Sequence, residues 1–305
     1  MGVLHFAGLG KSPGAVTSGL SYLKHEMASS FEDGDIVEGV VIFTSEEIAS
    51  GKEEAFPVEH NEYGQRAVRK TWTQGKRNAV DIVSKFLQKE FGNIEVYVVQ
   101  TDVNDFSRCF ESVTKAILWF HSPGKVGKHI WSNLTGGTNV LNAALIQAAY
   151  LSGLIPKLYY TFVANLKEDG KCLQPFSRDE NEFDYREIYV LPTTFDERYR
   201  YLLEELSPND WITKEELLSR LKRKSSLFEE LRIEDFTRNY LNVWPGIQRK
   251  GTRDTLQENA VRLSSEGQNL LDLLKLPWFK VLLQRSTLTE EQREDILKGL
   301  SIRRV

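Results

Sequence analysis

Short apolar runs rich in β-branched and aromatic residues alternate with longer amphipathic stretches over the first 190 residues. The short runs predict strands, and apolar positions spaced by three and four residues predict helices. The predicted strands are 3–9, 36–44, 94–100, 129–134, 157–164 and 186–191, and the predicted helices are about 15–27, 66–91, 106–120 and 138–151. This alternation is typical of βαβ units. We therefore predict an α/β fold, a mainly parallel sheet with helices on both faces.

The pattern changes near residue 195. Residues 172–175 are expected to pair with strand 157–164 through a tight turn at Asp169-Gly170, and Pro192 ends the last predicted strand. The sequence that follows is charged and helical in its spacing. We predict one domain over residues 1–195 and a second over residues 196–305, the latter carrying a helical extension at its end.

The second half has its own order of elements. Helices are predicted over 198–206, from Thr213 as N-cap, over 233–244 and over 268–276, with a short strand at 211–212 and a ribbon over 247–263. This order resembles a winged helix-turn-helix. The resemblance implies that duplex DNA is bound by a recognition helix, a wing and flanking cations. The implied contacts are Arg238, Asn239 and Asn242 on the helix, Arg249, Lys250 and Arg253 in the wing, and Lys222 and Lys224 at the backbone.

Composition supports a folded protein and locates its positive charge. Of 305 residues, 41% are hydrophobic and 27% charged, which excludes global disorder. The net charge of −4 argues against nucleic acid, yet residues 217–253 hold nine basic and four acidic residues. Two cysteines without metal-ligand spacing give no zinc site or disulfide framework. No membrane span or signal sequence is recognisable, so we expect a cytoplasmic protein that does not bind membranes.

Two glycine-rich turns each follow a strand and precede a helix. The first spans residues 8–14 and the second residues 133–139. Glycines let backbone N–H groups approach a phosphate, and a helix N-terminus favours an anion. The alternative is that these glycines only make tight connections and that Thr138 is only an N-cap. Neither turn is a P-loop or a dinucleotide fingerprint, so ATP hydrolysis and nicotinamide chemistry are disfavoured.

The second turn, Asn-Leu-Thr-Gly-Gly-Thr-Asn, resembles the signature of CARF domains, the ligand-sensing modules of CRISPR-associated ancillary proteins. The first turn and Thr44-Ser45-Glu46 are similar to further parts of that family's pattern. The resemblance covers about residues 1–192 and implies a Rossmann-like domain that forms a homodimer and binds a cyclic oligoadenylate. Asn139 stands where many members have Lys. The implied ligand residues are Gly10, Lys11, Ser12, Ser45, Thr135, Gly136, Gly137, Thr138 and Asn139.

The sequence gives little indication of catalysis. All five histidines lie in the first domain, and none has the preceding arginine of a HEPN ribonuclease. We expect no metal and no cofactor. The favoured hypothesis is a non-enzymatic, CRISPR-associated regulator in which cyclic oligoadenylate is an allosteric ligand that controls DNA binding. One alternative is a ring nuclease that slowly cleaves this ligand, with Lys11, Ser12 or Thr138 positioning the attacking hydroxyl. The other is an adaptor that binds protein and no nucleic acid.

Overall fold

The computed structural model divides the chain into two units. Unit 1 comprises Met1–Thr193 and Gln284–Val305, and unit 2 comprises Thr194–Leu283. The structure describes residues 2–26, 37–55, 78–121, 129–163, 183–190, 196–242, 246–250, 260–284 and 288–305. The predicted strand 172–175 and part of the predicted helix 66–91 lie outside these residues.

The strands and helices follow one another in the order that the sequence predicts for an α/β protein. In chain order the strands are β1 (Val3–Gly8), β2 (Val37–Thr44), β3 (Glu95–Gln100), β4 (His129–Asn133), β5 (Lys157–Val163), β6 (Phe183–Tyr189), β7 (Ile212–Thr213), β8 (Ile247–Arg249), β9 (Ala260–Leu263) and β10 (Ile302–Arg304). The helices are α1 (Gly14–Glu26), α2 (Glu46–Ala49), α3 (Ala79–Phe91), α4 (Phe106–Phe120), α5 (Asn139–Ser152), α6 (Glu197–Glu205), α7 (Lys214–Lys224), α8 (Ile233–Phe236), α9 (Ser265–Lys275), α10 (Pro277–Gln284) and α11 (Glu290–Ile296). Within the described ranges, no helix has both the length and the hydrophobicity needed to cross a bilayer.

Unit 1 is built on one sheet, to which the described residues contribute seven strands in the order β10-β3-β2-β1-β4-β5-β6. β3, β2, β1, β4 and β5 are parallel, and β10 and β6 are antiparallel strands at the two edges. This confirms the predicted α/β fold with a mainly parallel sheet.

Side chains of β1 alternate between two buried layers, because successive residues of a strand point to opposite faces. Val3 and Ala7 belong to the core cluster that includes residues of α1 and α3. Phe6 lies on the other face, where its ring is 6.0 Å from that of Phe120 on α4. Helices therefore cover both faces, which is why the central strands are apolar runs without polar alternation.

Unit 2 combines short helices with the three-stranded sheet β7-β9-β8. Thr213 caps α7 as predicted, because its Oγ1 accepts a hydrogen bond from the Glu216 amide at 3.2 Å. The helix predicted over 233–244 is shorter and irregular, since α8 passes into a π-helical turn at Thr237–Leu241. Its buried residues Phe236 and Leu241 hold it in the core of unit 2.

The end of the chain packs differently from the prediction. We expected residues 284–305 to extend the second domain, but they belong to unit 1. β10 pairs with β3, with Ile302 opposite Val99 and Arg304 opposite Tyr97. A strand of three residues with two arginines carries no strand pattern of its own, and charged side chains are typical of an edge position.

Candidate functional site

A cleft of about 920 Å³ lies in unit 1 where β1, β2 and β3 end. Parallel strands present their carboxyl ends at one side of a sheet, which is where open α/β folds bind ligands. Five of the nine predicted ligand residues line this cleft: Gly10, Lys11, Ser45, Gly137 and Thr138. The other four, Ser12, Thr135, Gly136 and Asn139, are described by the structure but are not part of the lining.

The two glycine-rich turns pack against each other through their backbones. A Cβ at Gly8 would lie 2.8 Å from the Gly137 Cα, and one at Gly136 would collide with the Gly8 carbonyl oxygen. Gly137 also has a φ of +82°, which favours glycine. The glycines of the second turn are therefore required by backbone packing.

A buried asparagine that we did not single out joins the second turn to the start of α1, directly after the first turn. The Asn133 Nδ2 donates to the Ala15 carbonyl at 3.3 Å, and its Oδ1 accepts from the Thr135 amide at 2.8 Å. The Thr135 hydroxyl is directed to β5, where it accepts from the Thr161 amide at 2.8 Å. Thr135 therefore supports the turn, and its hydroxyl is bonded to the sheet.

Thr138 holds the second turn to the loop after β3. Its Oγ1 accepts from the Leu141 amide at 3.2 Å as the N-cap of α5, and it donates to the Val103 carbonyl at 2.5 Å. An α-helix leaves its first N–H groups without intrahelical partners. α5, which has 14 residues, therefore directs the amides of its first turn toward the end where Gly137 and Thr138 line the cleft.

The first turn supplies a cation and an open backbone. The Lys11 Nζ lies 3.1 Å from the Glu53 Oε2, with side chains 41% and 47% exposed. A Cβ at Gly10 would meet no described atom within 4 Å, so the backbone is accessible there. The Ser12 carbonyl accepts from the Ala15 amide at 3.2 Å and starts α1.

The cleft wall also carries carboxylates that the sequence did not indicate as site residues. Glu46, Glu47, Glu53 and Asp102 all line it, whereas Lys11 is the one cation among the described lining residues. The pKa of Glu47 is lowered by its own backbone N–H and the Ser45 hydroxyl, with a smaller contribution from Lys52. The wall therefore offers many acceptors, and an anion in the cleft would depend on backbone amides and Lys11.

Two buried groups in unit 1 are held in their neutral forms. Burial lowers the pKa of His5 to about 3, with Lys157 adding to the shift, and the His5 Nδ1 is 2.8 Å from the Tyr159 hydroxyl. Burial raises the pKa of Cys109 to about 11, so its thiol is not activated as a nucleophile. In the part of the chain that the structure describes, no three His, Cys, Asp or Glu side chains are grouped to hold a metal.

The predicted nucleic-acid contacts of unit 2 are exposed where the structure describes them. The exposed residues are Lys222, Lys224, Arg238, Asn239, Asn242, Arg249 and Lys250, and Arg253 lies outside the described residues. Two of the cations have acidic partners. The Lys224 Nζ lies 2.8 Å from a Glu205 carboxylate oxygen, and Arg238, with 74% of its side chain exposed, lies 2.7 Å from Asp235. Part of the positive charge is therefore neutralised within the unit.

Comparisons with known proteins give weak similarities. No family model matches the chain. An uncharacterised protein of Archaeoglobus fulgidus is 28% identical over 200 residues, 53% of this chain and 57% of that protein, so the match spans little more than half the relative's length.

Three solved structures resemble the fold at low identity. Csm6 of Enterococcus italicus, bound to cyclic hexa-2'-fluoro-hexa-dAMP, has 14% identity and a TM-score of 0.38 over 78% of this chain and 56% of that chain. Can2 of Sulfobacillus thermosulfidooxidans, in complex with cyclic tetra-adenylate, has 11% identity and a TM-score of 0.33. The match covers 92% of this chain and 65% of that chain. VC1899 of Vibrio cholerae has 9% identity and a TM-score of 0.32, and the match covers 99% of this chain and 74% of that chain.

Proposed function

We propose that unit 1 is a CARF-type sensor whose cleft binds a cyclic oligoadenylate, and that unit 2 is a winged helix-turn-helix that binds duplex DNA. The protein would then be a homodimeric, CRISPR-associated regulator with the ring as its allosteric ligand. One observation carries the sensor part of the proposal. The turns after β1 and β4 pack together and bring Lys11 and the N-terminal end of α5 to one cleft at the carboxyl ends of the strands.

The lining of the cleft holds groups that suit both the phosphate and the donor groups of a nucleotide. The first-turn amides of α5 and the Lys11 ammonium suit a phosphate. Glu46 and Asp102, which also line the cleft, suit donors, such as the exocyclic amine of adenine or a ribose hydroxyl. A cyclic ligand with two-fold symmetry would use the same cleft on two protomers, which is the reason to expect a homodimer.

Calorimetric titration of the full chain with cyclic tetra-adenylate and cyclic hexa-adenylate tests the sensor. Lys11→Met is expected to weaken binding about tenfold or more, because it removes a charged hydrogen-bond donor to phosphate. Glu53→Gln is expected to strengthen binding, since Glu53 competes for the same ammonium. Lys89→Met, an exposed substitution on α3, is the control and should have no effect. Failure of both rings to bind would overturn this part of the proposal.

The DNA-binding proposal rests on the order of elements in unit 2 and on its exposed cations. α6, β7, α7, the segment 233–241, β8, β9 and α9 follow in the winged-helix order. The segment that would enter the major groove contains a π-helical turn, an uncommon conformation that is frequent at functional sites. Its cations are Arg238 and, near its start, Arg232, while Lys222 and Lys250 are exposed on neighbouring elements.

Fluorescence anisotropy with duplex DNA at several salt concentrations tests this interface. The logarithm of the binding constant falls linearly with the logarithm of the salt concentration, and each lysine that contacts a phosphate adds about one to the steepness of this line. Lys222→Ala should therefore reduce the slope by about one. Lys224→Ala should reduce it less, because its ammonium already pairs with Glu205. Lys280→Ala, exposed on α10, is the control. Binding that does not change with salt would contradict phosphate contacts and favour the adaptor hypothesis.

The regulatory part of the proposal has two separate readouts. Sedimentation of the chain with and without the ring reports the homodimer. DNA affinity with and without a bound ring reports allostery, since a ligand that binds both states equally would shift nothing. Chromatography should recover the ring intact after long incubation, whereas linear products would identify the ring nuclease alternative.

A further inference from the structure

Residues 288–305 return to unit 1 and complete one wall of the cleft. The Gln100 amide donates to the Ser301 carbonyl at 3.2 Å, and the Val305 amide donates to the Val96 carbonyl at 2.9 Å. Both Gln100 and Ser301 line the cleft. A segment that follows unit 2 in the chain is therefore part of the candidate site.

Side-chain contacts fix this segment to α2, which lines the cleft, and to α4. The Arg303 guanidinium donates to the Ala49 carbonyl at 3.0 Å, and Ala49 ends the helix α2 that carries Glu46. The buried Lys115 of α4 donates to the Lys298 carbonyl at 2.8 Å and pairs with Glu111 at 2.9 Å. The segment thus contacts the elements on either side of β3.

Unit 2 is inserted in the chain between two segments that both belong to the sheet of unit 1. The chain leaves the sheet after β6, at one edge, and returns as β10, at the opposite edge. Pairing of β10 with β3 therefore tethers unit 2 to unit 1 at both ends. With residues 288–305 undocked, unit 2 would be tethered at one end only.

We propose that residues 288–305 act as a strap that couples occupancy of the cleft to the tethering of unit 2. This inference rests on the proposed function of the cleft. Undocking of the strap removes Ser301 from the wall and frees α2 from Arg303, so a ligand that contacts this wall binds the docked state more tightly. By linkage, the ligand then favours docking and docking favours the ligand by the same factor. The strap is the element with two states on which the ligand acts.

Hydrogen exchange of the full chain, measured by mass spectrometry with and without cyclic tetra-adenylate or hexa-adenylate, tests the strap. The Gln100 amide reports docking because its acceptor is Ser301. If binding requires the docked strap, a ring at 100 times its Kd should slow this exchange by up to about a hundredfold. A ring that binds without slowing exchange at Gln100 would overturn the strap and leave the proposed ligand in place.

Two arginines of β10 give a matched pair of variants. Arg303→Ala removes the hydrogen bond to α2 and should weaken ring binding about fivefold. Arg304→Ala removes only an exposed ion pair to Glu95 at 3.4 Å and should change it less than about twofold. Equal effects of the two substitutions would overturn the proposal.

Hydrogen exchange of the protein without ligand tests the strap even if neither ring binds. Without ligand, Arg303→Ala should still speed exchange at Gln100 and at the α2 amides of Ala49 and Ser50, whereas Arg304→Ala should leave the α2 amides unchanged. Failure of both rings with this effect present contradicts the proposed ligand and supports the strap. Absence of the effect overturns the strap whatever the rings do.

Discussion

Two glycines that the sequence analysis assigned to the same ligand site should respond in opposite ways to alanine. Gly136 faces the first turn, where an added Cβ would collide with the Gly8 carbonyl oxygen and lie 3.0 Å from the Ala15 Cβ. Backbone atoms cannot move aside as the end of a flexible side chain can. Gly10 has a backbone that alanine can adopt and open space around it.

The magnitudes follow from these surroundings. Overpacking of a buried site costs about 1–3 kcal/mol, which is the loss of unfolding free energy expected for Gly136→Ala. Gly10→Ala adds a methyl group without a clash and restricts the unfolded chain, so it should gain about 0.4–1 kcal/mol. The two variants should therefore differ by roughly 1.5–4 kcal/mol.

Urea denaturation followed by circular dichroism measures the difference. The expected result is a lower midpoint for Gly136→Ala and an equal or higher midpoint for Gly10→Ala, both relative to the unsubstituted chain. If Gly136→Ala were as stable as Gly10→Ala, the two turns would not be packed backbone to backbone. The cleft geometry on which the proposed ligand depends would then be wrong.

Two further predictions concern buried titratable groups. His5 is neutral in the folded chain down to about pH 3 but protonates near pH 6.5 when unfolded, so its contribution to stability is present above pH 6.5 and is lost as the pH falls. Between pH 6.5 and 4.5 this loss is about 2 kcal/mol, and the double variant His5→Phe/Tyr159→Phe should lack it in urea titrations at both pH values. The raised pKa of Cys109 predicts alkylation by iodoacetamide at pH 8 about a hundredfold slower in the folded than in the unfolded chain. Peptide mass spectrometry measures this rate, and equal rates in the two states would contradict the burial of the thiol.

The sequence predicts the central sheet well because each strand there has a local pattern. β2 lies within one residue of its predicted bounds, since a strand buried on both faces is an apolar run bounded by polar residues. The caps Thr138 and Thr213 follow from their position before a helical pattern. The second glycine-rich turn was also located correctly between β4 and α5, because the residues that mark it are consecutive in the sequence.

Contacts between distant segments could not be predicted in this way. Glu53 and Asp102 are ordinary surface acids in the sequence, and Glu46 was quoted only as part of a strand-end pattern. Only the meeting of the connections after β2 and β3 brings the three into one lining. β10 depends on an edge of β3 that no local pattern reveals. Asn133 was part of the quoted motif, yet its role in joining the second turn to the start of α1 depends on Ala15, 118 residues away.

The glycine- and threonine-rich turn at residues 133–139 points to this cleft, whereas the number of lysines and arginines in the sequence does not. The charges that line the cleft explain why. Lys11 is paired with Glu53, and the other charged lining residues are acidic, so side-chain charge alone would repel a phosphate. Besides Lys11, attraction would come from backbone amides, whose direction is set by the packing of the two turns and by Asn133. Glycine and threonine at fixed spacing specify that backbone. In the proposed complex, the acidic wall would disfavour a bare anion and favour a ligand that also carries hydrogen-bond donors, as an adenine nucleotide does.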